Sequence, residues 1–257
     1  MAWGSVKETP KPPFRSCPFP FAAAAEGKGQ CTYPKTCTCK RTLLLYKYRS
    51  LIFFFKPDTM GNMRIVRIGE HLPEKLLDIA VQALSQGKVL VSPTDTVYGL
   101  LADATNTKAV KKVLLIKGRE KIKALPIFVK DIAMAKKFAR VSPSQEQFLR
   151  NIWPGNVTAI LESRCVLPRE TGTGESIGLR IPKYEFLNLL LETYGKPLTG
   201  TSANLSGTPS LSDSKEIIAQ FENRKYKPDM LLDAGVLPKS KPSKVIDITS
   251  AKHSILR

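Results

Sequence analysis

Histidine is almost missing from this sequence, with His71 and His253 the only two in 257 residues. That leaves no basis for a Ser-His-Asp triad, and no G-x-S-x-G elbow occurs either. Cysteine is scarce beyond the first quarter of the chain. Cys17, Cys31, Cys37 and Cys39 fall within residues 1–62, so the body carries only Cys165. A disulfide scaffold is excluded, and a reducing, cytoplasmic compartment is expected. Cys31, Cys37 and Cys39 lie close together without the paired C-x₂-C spacing of a zinc knuckle, so no protein metal ligand is assigned. Long apolar runs are missing too. Leu51–Phe55 is interrupted or flanked by Lys47, Arg49 and Lys56 and falls far short of the about 20 residues of a membrane span. There is no Walker A loop and no internal repeat.

What is present is a composition of 42% hydrophobic and 24% charged residues, that of a globular protein long enough to bury a full core. Net charge is +18. Residues 1–62 hold ten Lys/Arg against three Asp/Glu, a net of +7, leaving 30 against 19, or +11, for residues 63–257. The excess in the body suits polyanions such as nucleotide phosphates or RNA, or reflects a generally basic proteome. Residues 1–62 contain seven prolines, the run Ala22–Ala25 and no sustained period. They are expected to be a disordered or non-native extension, and they lack the features of a secretory signal. The first regular segment opens at Met63, and the protein is expected to begin functionally near Met60 or Met63.

From Met63 onward helical and strand periods alternate, an α/β pattern. Pro73 and Gly87 bracket an amphipathic helix. Further helices are expected near Thr107–Ile116, Ile132–Ala139, Pro143–Ile152, Tyr184–Tyr194 and Ser212–Phe221. Strands are expected at Val89–Val91, Leu125–Val129, Val157–Leu161, Ile177–Ile181, Leu198–Thr201, Met230–Asp233, Val245–Ile248 and Ser254–Leu256. Three loops at strand ends carry hydroxylated or basic residues: Pro93–Gly99, Lys117–Lys123 and Thr199–Ser210. Strand ends are where α/β sheets bind ligands. Lys117-Gly-Arg119 sets two cations about a glycine bend, and both could reach one polyphosphate. Taken alone it reads better as a solvated basic turn. Thr201-Ser-Ala-Asn-Leu-Ser-Gly207 offers donors for phosphate and ribose oxygens, and by itself it is equally a plain polar turn.

Together these segments resemble a known family. Pro93-Thr-Asp-Thr-Val-Tyr-Gly-Leu100, Lys117-Gly-Arg119, Trp153-Pro-Gly155, Gly178-Leu-Arg-Ile-Pro182, Thr201–Gly207 and Pro242-Ser-Lys-Val-Ile-Asp247 occur in that order. The order resembles that of the threonylcarbamoyl-AMP synthase (YrdC-type) family in its single-domain form, from about Met63 to the end. The resemblance implies a YrdC-like α/β fold, a twisted open mixed sheet flanked by helices with a concave basic central cleft. It implies an enzyme that joins L-threonine, bicarbonate and ATP, with Mg²⁺, into threonylcarbamoyl-adenylate and pyrophosphate. A threonylcarbamoyl-transferase complex then passes the group to tRNA.

By the same resemblance Lys117 and Arg119 are the catalytic cations. ATP would be bound by Lys117, Arg119, Lys123, Ser176, Ser202, Asn204, Ser210 and Arg257, and threonine by Thr96, Arg180 and Ser243. Arg180, in the otherwise apolar strand Ile177-Gly-Leu-Arg-Ile, is the natural partner of the threonine carboxylate. Glu120 and Phe128 stand where the family often has Pro and His. Two other readings stay open on residues alone. One is a non-catalytic tRNA- or rRNA-binding module of the same fold; the other is a carbamoyl-transfer enzyme containing a similar domain, for which the length and paired cysteines are missing.

Overall fold

The computed structural model describes residues 58–60 (backbone only), 63–69, 73–118, 124–171, 174–238, 240, 243–250 and 254–256. The expected extension, apart from 58–60, lies outside the described residues, as do Arg119, Lys123 and Arg257.

Thirteen strands and six helices are described. The chain opens with β1 (Asp58–Met60) and β2 (Met63–Arg67), paired antiparallel with Asp58 opposite Ile65. Pairing therefore starts upstream of Met63, where the sequence places its first regular segment. Helix α1 (Pro73–Ser85) begins at its proline and buries Leu76, Ala80, Ala83 and Leu84. That i, i+4, i+7, i+8 stripe is the apolar face read from the sequence. Burial of each leucine contributes about 1.5–3 kcal/mol. After β3 (Leu90–Ser92) and β4 (Gly99–Leu101), α2 runs Thr107–Lys117. Asn106 caps it by accepting from the N–H groups of Lys108 and Ala109, and Gly118, at φ 61°, ends it in the left-handed conformation. Lys117, expected in a loop, is thus the last helical residue.

Next come β5 (Ile127–Phe128), α3 (Ile132–Phe138), β6 (Ala139–Arg140) and α4 (Pro143–Ile152). Helix α4 starts in a capping box between Ser142 and Gln145, with Pro143 in the first turn. Strands β7 (Val157–Ser163) and β8 (Ser176–Arg180) lead to α5 (Glu185–Tyr194), β9 (Leu198–Thr199) and β10 (Thr201–Ser202). Last are α6 (Ser214–Phe221), β11 (Met230–Asp233), β12 (Lys244–Asp247) and β13 (Ser254–Ile255). The expected strands β3, β5, β7, β8, β11, β12 and β13 are all found near their expected places, and the regular segment expected from Met63 is β2. Strands β4 and β6 were not anticipated; β4 follows so closely on the hydroxyl-rich loop that its three apolar-sized residues read as loop end.

The mixed sheet expected from the resemblance is divided in two. The first has the order β1-β2-β11-β3-β4-β10, and the second β13-β12-β7-β8-β5-β9 with β6 beside β7. Pairing is parallel for β2/β11, β11/β3, β12/β7 and β8/β5, and antiparallel elsewhere. In the first sheet Leu90, Leu101 and Leu232 point to the layer of α1 and α5. Val91, Leu100 and Leu231 point to the larger core that includes Val110, Val113 and Phe221. Both faces are covered, which is why these strands read as unbroken apolar runs.

Residues 198–202 pass from one sheet to the other, and for that reason the single strand expected at Leu198–Thr201 is two. Thr199 N–H donates to Ala102 O at 2.9 Å and Gly200 N–H to Pro126 O at 2.7 Å. A Cβ at Gly200 would sit 2.8–2.9 Å from the Phe128 ring, closer than carbon atoms approach without repulsion. Glycine is needed here by space alone.

Candidate active site

The crossing at Gly200 brings the ends of both sheets to one cavity of about 550 Å³. The β3–β4 loop contributes Thr94 and Thr96, and the first sheet's β10 contributes Thr201 and Ser202. From the second sheet come Thr158 of β7, Ser176 and Arg180 of β8, and Ser243 ahead of β12, with Ser210 from the loop beyond β10. Six expected site residues, Thr96, Ser176, Arg180, Ser202, Ser210 and Ser243, therefore line one space although the sequence spreads them over nearly 150 positions. Its walls are mainly hydroxyls and apolar side chains, among them Phe128 and Ile160. Among the described residues Arg180 is the one charged side chain lining it.

Lys117 and Asn204 stand behind that wall. Lys117 is only 2% exposed. Its Nζ donates to Ser202 O at 2.7 Å and to Asn204 Oδ1 at 2.9 Å, while its own carbonyl accepts from Ser206 N–H at 2.9 Å. Ser202 Oγ also donates to Asn204 Oδ1, and Asn204 Nδ2 donates onward to Leu205 O and Thr208 O. Gln220 of α6 braces the same turn by accepting from Leu205 N–H at 3.3 Å. The 201–210 segment is thus held from below by a buried ammonium and an amide. Such a loop keeps its hydroxyls and N–H groups fixed before any anion arrives.

A second part of the lining centres on Arg180, 3% exposed. Its Nε donates to Gly155 O at 2.9 Å and its Nη2 to Asp95 Oδ2 at 2.7 Å, with the guanidinium carbon 5.8 Å from the Phe128 ring centroid. Burial pulls the Arg180 pKa below its ordinary value, and the Asp95 charge and hydrogen bond oppose that shift. An arginine stays protonated throughout. Thr96 is fixed by Thr94, whose Oγ1 accepts from Thr96 N–H at 3.1 Å and donates to Val97 O at 2.7 Å. Ser240 Oγ donates to Thr96 O. Tyr98, fully buried, has its phenol pushed up to about 12 by burial. It donates to Gly235 O at 2.8 Å and accepts from Ala234 N–H at 3.0 Å, tying the loop to the end of β11.

Reading the sequence missed Asp95 and Thr94. Asp95 had a signal: it is the acid in a hydroxyl-rich loop directly after a buried strand. Phe128 was singled out only as standing where the family often has His; its ring beside Arg180 was not foreseen.

A larger and more open groove, about 680 Å³, lies beside α1, α5 and the start of α2. Its buried carboxylate, Asp103, accepts from Thr105 N–H at 2.8 Å, Thr105 Oγ1, Tyr194 OH at 2.7 Å and Lys196 Nζ at 3.1 Å. Burial pushes the Asp103 pKa up, but the hydrogen bonds from Thr105, Tyr194 and Lys196 outweigh it and hold the carboxyl below the usual range. Both oxygens of Asp103 are taken up by its own neighbours, whereas the smaller cavity gathers the expected site residues, so the smaller cavity is the better candidate site. Among the described residues no group of three or more His, Cys, Asp or Glu side chains could hold a metal ion, and no helix is long and apolar enough to cross a membrane.

The Sua5/YciO/YrdC family model (Telomere recombination) matches residues 82–257. Threonylcarbamoyl-AMP synthase of Pyrococcus abyssi is 31% identical over 195 residues, which is 75% of this chain and 56% of that protein. The chain thus spans little more than half the length of that relative. Threonylcarbamoyl-AMP synthase of Klebsiella pneumoniae is 34% identical over 158 residues, covering 60% of this chain and 83% of the relative. Among solved structures, P. abyssi Sua5 complexed with L-threonine superposes with a TM-score of 0.69 at 31% identity, over 75% of this chain and 56% of that one.

Proposed function

The chain belongs to the Sua5/YciO/YrdC family, and from that premise we propose that it is a threonylcarbamoyl-AMP synthase, making threonylcarbamoyl-adenylate and pyrophosphate from L-threonine, bicarbonate and ATP. One observation carries the reading: Arg180 and the Lys117-braced loop at Ser202 line or back one and the same cavity. A carboxylate donor and a phosphate-type donor loop thereby share one space.

The chemistry asks little of the protein beyond placement. The threonine amine and bicarbonate combine to a carbamate and water, and a carbamate oxygen attacks the α-phosphorus of ATP as pyrophosphate leaves. Arg180 would take the threonine carboxylate as a charge-assisted pair, with the hydroxyls of Thr96 and Ser243 on the remaining polar groups. Ser176, Ser202 and Ser210 would hold the nucleotide. Lys117 would act through the loop, setting positive charge beneath Ser202 and fixing Asn204. Negative charge grows on the departing pyrophosphate, so preorganised cations and donors supply most of the rate. Arg119 and Lys123, which follow the α2 terminus, would meet that charge directly and make the cleft basic, with Arg257 on the nucleotide side. Magnesium would arrive on the ATP phosphates, its usual mode of binding, and would neutralise charge there. We place the enzyme in the cytoplasm, upstream of a threonylcarbamoyl-transferase complex that modifies tRNA, with residues 63–257 as the catalytic body.

The test is pyrophosphate release from ATP with threonine and bicarbonate omitted in turn. The proposal expects release only when both are present. Salt-sensitive RNA binding with no threonine-dependent turnover would instead identify a binding module of the same fold.

A further inference from the structure

We infer that Asp95 is the positioning residue of the amino-acid side of the site, acting through Arg180; the inference rests on the synthase reading just given. Asp95 belongs to the β3–β4 loop of the first sheet, and Arg180 ends β8 in the second. Their 2.7 Å contact joins the two sheets at the cavity. It involves side chains only 11% and 4% exposed, where an ion pair is weakly screened and geometry decides its worth.

The guanidinium is pinned on three sides. Gly155 O takes Nε, Asp95 Oδ2 takes Nη2, and the Phe128 ring lies 5.8 Å away. An arginine held this way has lost its rotamer freedom before a carboxylate arrives, so its remaining donors are presented in one orientation. The carboxylate is pinned in turn, because Oδ2 also accepts from Lys183 N–H at 3.1 Å. Asp95 also sits between Thr94 and Thr96, whose hydroxyls lie 3.1 Å apart. Fixing Asp95 to Arg180 therefore sets the separation of Thr96 and Arg180, two of the three residues proposed to hold threonine.

The second oxygen separates this carboxylate from one placed for stability alone. Asp95 Oδ1 is buried and has no hydrogen-bond partner among the described residues, whereas both oxygens of Asp103 are engaged. A bare buried carboxylate oxygen is costly. Its retention fits a side chain placed for where Oδ2 must be.

The experiment compares Asp95→Ala, Asp95→Asn, Arg180→Ala and the double variant Asp95→Ala/Arg180→Ala in threonine-dependent pyrophosphate release. Near-UV circular dichroism monitors the fold. Asp95→Ala should lower kcat/KM for threonine by about 10²-fold, the size expected of a misplaced binding group, while KM for ATP stays at the parent value. Asp95→Asn, which keeps an acceptor, should lose less, and it carries the same measurements if Asp95→Ala does not fold. The double variant should be no worse than Arg180→Ala alone, because the two act as one unit. Additive losses, or equal changes in KM for ATP and threonine, overturn the inference. A parent protein without threonine-dependent release refutes the synthase reading instead. Positioning is then judged on Arg180 itself by NMR. Its Nε–H should be protected from exchange in the parent, lose protection in Asp95→Ala and lose less of it in Asp95→Asn; protection in both variants equal to the parent's overturns positioning whatever the reaction.

Discussion

Asp103, buried, and Asp95, half-buried, are both carboxylates next to a cation, and they lie in regions of opposite character. Asp103 gathers a backbone N–H, two hydroxyls and the Lys196 ammonium. Its network closes on itself, and the groove above it is wide. Asp95 binds Arg180 and one backbone N–H and leaves an oxygen bare, and its network ends at a smaller cavity walled by residues from both sheets. Volume would favour the groove. Hydrogen-bond accounting favours the cavity, because the Asp95–Arg180 network there, unlike that of Asp103, does not close on itself.

The sharpest way to break this contrast is to remove one ammonium from each region. Lys117→Met keeps an apolar stem but takes the ammonium from Ser202 O and leaves Asn204 Oδ1 with the Ser202 hydroxyl alone. Pyrophosphate release should fall by about 10²–10³-fold, as when a preorganised donor is lost. Lys196→Met, at the rim of the groove, should leave release at the parent level. Equal effects in a steady-state assay on the two folded variants would erase the distinction.

The second contrast is in stability. Asp103→Ala strands Tyr194 OH and Thr105 N–H and should cost about 1–3 kcal/mol. For a body of this size that is roughly 2–4 °C of melting temperature per kcal/mol. Calorimetry reads the loss, and kcat/KM for threonine should not move. A changed kcat/KM would place the groove in the reaction.

The helices and most strands were legible because each is encoded locally. Pro73 and Gly87 bracketed the first helix within a few residues of its ends, and the other helices showed in their apolar period; the Asn106 cap and the Ser142–Gln145 box that start two of them are seen in the structure. The residues that line the cavity were legible from motif order. How they are held was not. Lys117 read as a loop cation because its neighbour is a turn glycine, yet that glycine closes a helix and leaves the lysine buried beneath Ser202. Arg180 read as open for a carboxylate, while its partner Asp95 lies 85 positions away. Local periodicity carries no information on such long-range pairs, nor on the split of 198–202 between two sheets, which depends on the Phe128 ring meeting Gly200.

That contact gives the third test. Gly200→Ala places a Cβ against the ring at 2.8–2.9 Å, an overpacking worth about 1–3 kcal/mol. Because Phe128 lines the cavity and lies under Arg180, KM for threonine should rise as stability falls. Phe128→Leu combined with Gly200→Ala should recover part of the stability. A fully tolerated Gly200→Ala would mean that the seam between the sheets is looser than the cavity requires.

The smallest expected effect belongs to acid. The hydrogen bonds from Thr105, Tyr194 and Lys196 depress the Asp103 pKa in the fold, against the opposing effect of burial. A carboxyl with a depressed folded pKa binds fewer protons folded than unfolded near its titration range. Its contribution to stability is complete above the unfolded value, about 3.9 for aspartate, and is lost as pH falls through the lower folded value. Urea melts of the parent should therefore show a midpoint that is steady near neutrality and declines in acid. Exposed Glu146 and Glu170 also have lowered values and add to the same slope, so the informative quantity is the difference from Asp103→Asn. That difference should be largest near neutral pH and shrink as the medium becomes acidic enough to protonate Asp103. A gap between parent and variant that stays constant across that range would mean Asp103 acts through its shape and not its charge, and the closed network in the groove would then be held by its hydroxyls alone.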